Sequence, residues 1–122
     1  MTCARSLKAT LLCAAITLGV VTAAPGAEYA PIDCTQASNP AEREVCRNYS
    51  LGQAEARLTT LYGVITSLVA MGQRGNLVDA QREWIQRRDA CGDDSACLAD
   101  AYARRIQELN AALTEIASRG PF

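Results

Sequence analysis

The spacing of apolar residues constrains this chain most. Apolar side chains fall at Leu51, Ala54, Leu58, Leu61, Ile65 and Leu68, and again at Leu98, Tyr102, Ile106, Leu109, Leu113 and Ile116. Steps of three and four residues gather them on one side of an α-helix, and a stripe of that kind has to be buried against another element. No segment alternates apolar and polar residues over four or more positions with β-branched enrichment, so no strand competes for these stretches. The pattern predicts an all-α fold, a small bundle of three to four antiparallel helices.

Local signals divide the stripes. Asn39-Pro40-Ala41-Glu42 places a capping residue, a first-turn proline and a glutamate in the order that opens a helix, which should run to about Asn48. Ser50-Leu51-Gly52-Gln53 has capping-box character and opens a second, long helix. Gly72 and Gly75 flank Gln73-Arg74, which predicts a C-terminal cap and a turn, with Asn76 capping a third helix that reaches Cys91. Gly92-Asp93-Asp94-Ser95 reads as a turn with capping residues, and a fourth helix ends at Arg119-Gly120-Pro121.

The N-terminal residues belong to a different problem. Arg5 and Lys8 precede the uncharged apolar run Ala9 to Val21, and Val21-Thr22-Ala23 supplies the small residues a signal peptidase needs. Residues 1–23 are therefore expected to be a cleavable Sec-type signal peptide of a bacterial protein, cut between 23 and 27. The run falls short of the roughly 18 to 20 residues that span a bilayer, so no stable membrane insertion is expected after cleavage. Cys13 sits too early, after Leu11-Leu12, for a lipid-attachment site. Residues 24–38 then read as an extended N-terminal segment, and 39–119 as the helical domain.

Cleavage at that point leaves ten arginines, no lysine and thirteen acidic residues, a net charge of −3. A mildly acidic chain without a basic cluster is not built for nucleic acid or an anionic membrane surface. It also leaves four cysteines, Cys34, Cys46, Cys91 and Cys97. An even count in a short exported chain points to disulfides formed in an oxidising compartment, the periplasm or the exterior. Cys34 and Cys46 flank the start of the first helix, and Cys91 and Cys97 flank the turn before the fourth, so the local pairing is favoured among the three connectivities that four cysteines allow. The spacings C-x₁₁-C and C-x₅-C do not resemble the paired knuckles of a zinc site.

The chain has no histidine, which removes Ser-His-Asp and Cys-His nucleophile arrangements and the commonest metal ligand. No catalytic residue, metal site or cofactor is expected. Asp93 and Asp94, with Asp89 nearby, form an acidic group in which a Ca²⁺ site or an acid/base pair is conceivable, but adjacent aspartates before a helix are favoured as a solvated capping turn. The most distinctive run is residues 81–89, where Gln81, Trp84 and Arg88 share one side of the third helix. Two readings stand side by side. Trp84 plugs the core with Gln81 and Arg88 satisfied around it, or the same face, joined by Tyr102 and Arg105, is a recognition surface. The exposure of Trp84 decides between them.

These residues resemble the LprI-like lysozyme-inhibitor N-terminal domain family over nearly all of the mature chain. The resemblance rests on Cys34, then Glu42-Arg43-x-x-Cys46, then Leu58-x-x-Leu61-Tyr62. It continues through Leu77, Gln81, Trp84, Arg88-Asp89, Cys91, Cys97-Leu98, Tyr102 and Arg105-Ile106. The chain carries Glu55 after Ala54 where the family often has Asp after the Leu of its second helix. The resemblance implies a secreted or envelope-attached, disulfide-bonded helical module. It implies lysozyme as a partner, with another exported protein as the alternative, and a non-enzymatic mode of action. For a lysozyme inhibitor, the stapled Cys91 to Cys97 turn is expected to supply a rigid protruding element, with Asp93 and Asp94 able to face the arginines of lysozyme.

Overall fold

The structure is a computed structural model that describes residues 29–120. The signal peptide and its cleavage window, as read from the sequence, lie outside the described residues. Four helices follow in order, α1 (Pro40–Arg47), α2 (Tyr49–Leu68), α3 (Met71–Asp89) and α4 (Ser95–Ser118), and among the described residues there is no strand.

Each helix start has a local cause. The Asn39 side chain accepts from the Glu42 backbone N–H at 2.9 Å, with Pro40 in the first turn, where its missing N–H costs nothing. Glu42 in turn accepts from the Ser38 backbone N–H at 2.8 Å. A single residue, Asn48, separates α1 from α2. Its backbone N–H closes α1 on the Glu44 carbonyl at 3.0 Å, and its side chain accepts from the Leu51 N–H at 3.3 Å to open α2. The expected capping box at Ser50 is thus superseded by Asn48, two residues earlier. Asp94 caps α4, accepting from the backbone N–H groups of Ala96 and Cys97 at 3.0 Å each.

The junction of α2 and α3 differs from the sequence reading. The turn lies at Val69-Ala70, both extended, rather than at Gly72 to Gly75, and Asn76 lies inside α3 instead of capping it. Val69 is 9% exposed and closes the core end of α2, so the chain has to turn immediately after it. The first turns of α3 are solvent-facing, and a helix there tolerates glycine at a cost of roughly 1 kcal/mol each.

Trp84 on α3 meets Ala101 on α4 and Gln81 meets Arg105, so contacts rise along α4 as they fall along α3. Ile65 and Val69 at the end of α2, Asn76 and Leu77 early in α3, and Ala112 and Ile116 late in α4 border one cavity. Successive long helices are therefore antiparallel. The core is built from Val45, Leu51, Leu58, Tyr62, Ile65, Trp84, Leu98, Tyr102 and Leu109, joined by Tyr29 from the segment ahead of α1. On α2 the buried residues are Leu51, Glu55, Leu58, Tyr62, Ile65 and Thr66, and Val69 at its C-cap continues the line. That line is rotated from the expected one: Ala54 and Leu61 are half-buried and Leu68 is 39% exposed. The rotation follows from a polar residue, Glu55, occupying a core position.

The disulfides are Cys34–Cys46 and Cys91–Cys97, the local pairing. The first ties the N-terminal segment to α1, and the second closes the turn between α3 and α4. In the chain-entropy model rings of this size are worth roughly 2 to 3 kcal/mol each, a large share of what a domain this small retains. No helix among the described residues is long and apolar enough to cross a membrane.

Candidate functional site

The distinctive residues of α3 point inward. Gln81, Trp84 and Arg88 are each no more than 3% exposed, and Tyr102 and Arg105 on α4 are 1% and 5% exposed. Trp84 donates from Nε1 to the Ala101 carbonyl at 3.1 Å and packs edge-on against Tyr102 and Tyr29, with centroids 5.2 and 6.3 Å away. The Arg88 guanidinium lies 5.5 Å from the centre of the Trp84 ring. It donates from Nε and Nη2 to Asp89 Oδ1 at 2.8 and 2.7 Å, with Glu42 a further 3.9 Å contact. Asp89 Oδ2 accepts from Asn39 Nδ2 at 3.2 Å, so this carboxylate faces α1 and not the acidic turn. Of the two sequence readings, burial leaves the core one: a recognition surface of Trp84, Tyr102 and Arg105 is not available to a partner.

The same interior holds a carboxylate that the sequence reading marks only as a departure from the family pattern. Glu55, 5% exposed, accepts from the Tyr29 hydroxyl at 2.8 Å on each oxygen, from the Tyr102 hydroxyl at 2.7 Å and from the Ile32 backbone N–H at 3.2 Å. Burial, and after it the negative charge of Glu55, pushes both phenols far above their ordinary value, so they stay protonated and donate. A signal for Glu55 existed in its spacing, four residues after Leu51 and three before Leu58. Nothing in the spacing announced Tyr29, which reaches it across 26 residues.

What remains for contact is the surface, where α1, α2 and α4 meet in a hydrogen-bonded corner. The Glu44 carboxylate, 6% exposed as a residue, accepts from the Ser95 hydroxyl, from Arg47 Nε and, at 3.5 Å, from Asn48 Nδ2. The Ser95 bond and then the Arg47 partner hold its carboxyl below the usual range, in spite of some desolvation. This clasp fixes the start of α4 to the end of α1. The Cys91–Cys97 disulfide and Gly92, whose φ of +59° lies in the left-handed region, fix the other side of the turn. Asp93 and Asp94 are exposed at its tip, and Asp94 still has its capping bonds. Next to the clasp, Tyr49 is 81% exposed. Among the described residues no group of three or more Cys, Asp or Glu side chains is placed to hold a metal ion.

A shallow cleft of about 350 Å³ lies between the N-terminal segment and α3, bordered by Tyr29, Asp33, Glu42, Ile85 and Arg88. Its charged side chains are already engaged, Asp33 by Thr35, Glu42 by Ser38 and Arg88 by Asp89. They give a small ligand little to bind. The exposed carboxylates of Asp93 and Asp94 lie instead on the stapled turn.

The profile of the family described as "Lysozyme inhibitor LprI" matches residues 34–109. Those residues run from the first cysteine of the Cys34–Cys46 staple to Leu109 in the core of α4. Proteins named "Lipoprotein LprI" from Mycobacterium bovis and Mycobacterium tuberculosis are each 31% identical to the chain over 81 residues, covering 64% of it. The match accounts for 40% of the length of each relative, so this chain spans well under half of the proteins it resembles. No solved structure matches it. Helices α1 to α3, the larger part of α4, the two staples and the buried Gln81, Trp84 and Arg88 fall inside the matched span, and the chain belongs to the LprI lysozyme-inhibitor family.

Proposed function

We propose that this chain is an exported, non-enzymatic protein that inhibits lysozyme by contact, with the Cys91–Cys97 turn as the contacting element. One observation carries the reading. The turn is fixed on both sides, by its own disulfide and by the Ser95–Glu44 bond, and it presents Asp93 and Asp94 to solvent. An inhibitor needs an element that loses little freedom on docking, because ordering a loop at the interface subtracts directly from affinity. Exposed carboxylates on such an element suit a basic partner and raise the rate of encounter at low salt. Family membership supplies the candidate partner, and the lipoprotein relatives support a place outside the cytoplasm. The disulfides are in keeping with an oxidising compartment such as the periplasm or the exterior.

A second reading, a contact module of the envelope without inhibitory activity, has one observation in its favour. Met71, Val64 and Leu68 are 77%, 42% and 39% exposed, which leaves apolar side chains in solvent around the α2–α3 turn. A cell-wall lysis assay separates the two. Under the first reading, the purified mature chain slows lysis by c-type lysozyme in proportion to its concentration. Unchanged lysis at large molar excess rejects that reading and leaves the second.

A further inference from the structure

The middle layer of the bundle contains three polar groups that the protein itself does not satisfy. Tyr62 on α2, Gln81 on α3 and Arg105 on α4 are 1%, 2% and 5% exposed. Arg105 Nε donates to Gln81 Oε1 at 3.0 Å, and Arg105 Nη1 pairs with Glu108 Oε2 at 2.8 Å. The atoms left over are the Tyr62 hydroxyl, Gln81 Nε2 and Arg105 Nη2, all three buried and without a hydrogen-bond partner in the protein. Two of them belong to the bonded Gln81–Arg105 pair. The third is close enough to that pair for the Arg105 charge to act on it, which moderates the rise that burial imposes on the Tyr62 phenol.

Buried polar groups in folded proteins nearly always find a partner, and one unsatisfied group is costly enough that three together call for an occupant. The chemistry of the three atoms selects it. Gln81 Nε2 and Arg105 Nη2 only donate, while the Tyr62 hydroxyl donates or accepts. The occupant must therefore accept at least two hydrogen bonds, and it gains a third if it donates to the phenol oxygen. A hydrocarbon does neither. An anion accepts from all three, but Arg105 is already neutralised by Glu108 at 2.8 Å, so an anion would add an uncompensated buried charge. Water accepts two hydrogen bonds, donates a third and brings no charge.

We propose that Tyr62, Gln81 and Arg105 form a binding site for a single ordered water molecule that links α2, α3 and α4. Both disulfides act elsewhere, Cys34–Cys46 ahead of α2 and Cys91–Cys97 at the α3–α4 turn, so the linked layer holds together three helices that no covalent bond joins at this level.

A high-resolution crystal structure of the mature chain, grown from a bromide-containing solution, tests this directly. The expected result is one peak without anomalous signal, within hydrogen-bond distance of the Tyr62 hydroxyl, Gln81 Nε2 and Arg105 Nη2. An anomalous bromide peak there overturns the proposal in favour of an anion site. Direct bonding of the Tyr62 hydroxyl to Gln81 or Arg105, with nothing between them, overturns it in favour of a closed layer. In solution, the shared water makes Tyr62→Phe and Gln81→Met non-additive: the second substitution lowers Tm by less than half of what it does alone. Additive losses count against the water.

Discussion

The Tyr29 hydroxyl lies 2.8 Å from both carboxylate oxygens of Glu55, which joins the segment ahead of α1 to the middle of the bundle. The Tyr29 ring also packs edge-on against Tyr62 at 5.7 Å, so this one residue closes the core where a four-helix count would leave it open. Tyr29→Phe keeps the ring and removes a hydrogen bond to a buried charge. That bond is worth about 1.5 to 3 kcal/mol. Thermal unfolding should show Tm lower by several degrees, with helix content unchanged at room temperature.

Gly72 and Gly75 test the relocated turn. Both lie inside α3, and a Cβ added at either meets nothing within 4 Å. Replacing each by alanine should stabilise the domain by about 0.5 to 1 kcal/mol, because glycine in a helix is the more expensive residue. Chemical denaturation of Gly72→Ala and Gly75→Ala measures this. If the glycines formed the turn that the sequence suggests, the same substitutions would destabilise.

Glu42 gives the acid side of stability a defined contribution. Hydrogen bonding from the Ser38 backbone N–H holds its carboxyl below the ordinary value, and the Ser38 hydroxyl and Arg88 pull the same way against partial burial. A carboxyl lowered in the folded state contributes stability that is fully present above the unfolded-state value, and is lost as pH falls through the lower folded-state value. The stability gap between the natural chain and Glu42→Gln should therefore be full near neutral pH and close on acidification below the usual carboxylate range. Urea denaturation of both proteins at a series of pH values checks the sign.

Much of the fold was legible because helical signals are local. The Asn39-Pro40 start, the α4 stripe and the two cysteine pairs all involve residues close in sequence, and each reports its own geometry. The interior was harder to read. Charged side chains are mostly exposed, and the groups that make the burial of Glu55 tolerable, Tyr29, Ile32 and Tyr102, are far away in the chain. The one-step rotation of the α2 face has the same origin. Gln81, Trp84 and Arg88 were visible as a motif, but whether a Trp and Arg pair is core or surface depends on what covers it, and here α4 and the N-terminal segment do. For the turn at Asp93 and Asp94 the position was legible, and the Ser95–Glu44 clasp that fixes it was not, since it joins residues 51 apart.

The central claim is the proposal that a fixed acidic corner inhibits lysozyme by contact and not by a reaction. Asparagine at positions 93 and 94 removes both charges, and because it caps helices as well as aspartate does, Asp94→Asn leaves the start of α4 intact. The decisive measurement is the inhibition constant against c-type lysozyme for the natural chain and for the Asp93→Asn, Asp94→Asn double variant at equal Tm. The account predicts inhibition by the natural chain that weakens with added salt, and at least a tenfold loss in the variant, or about 1.4 kcal/mol. Equal potency of the two proteins would contradict the assignment to this corner, and the absence of inhibition by either would contradict the contact function itself.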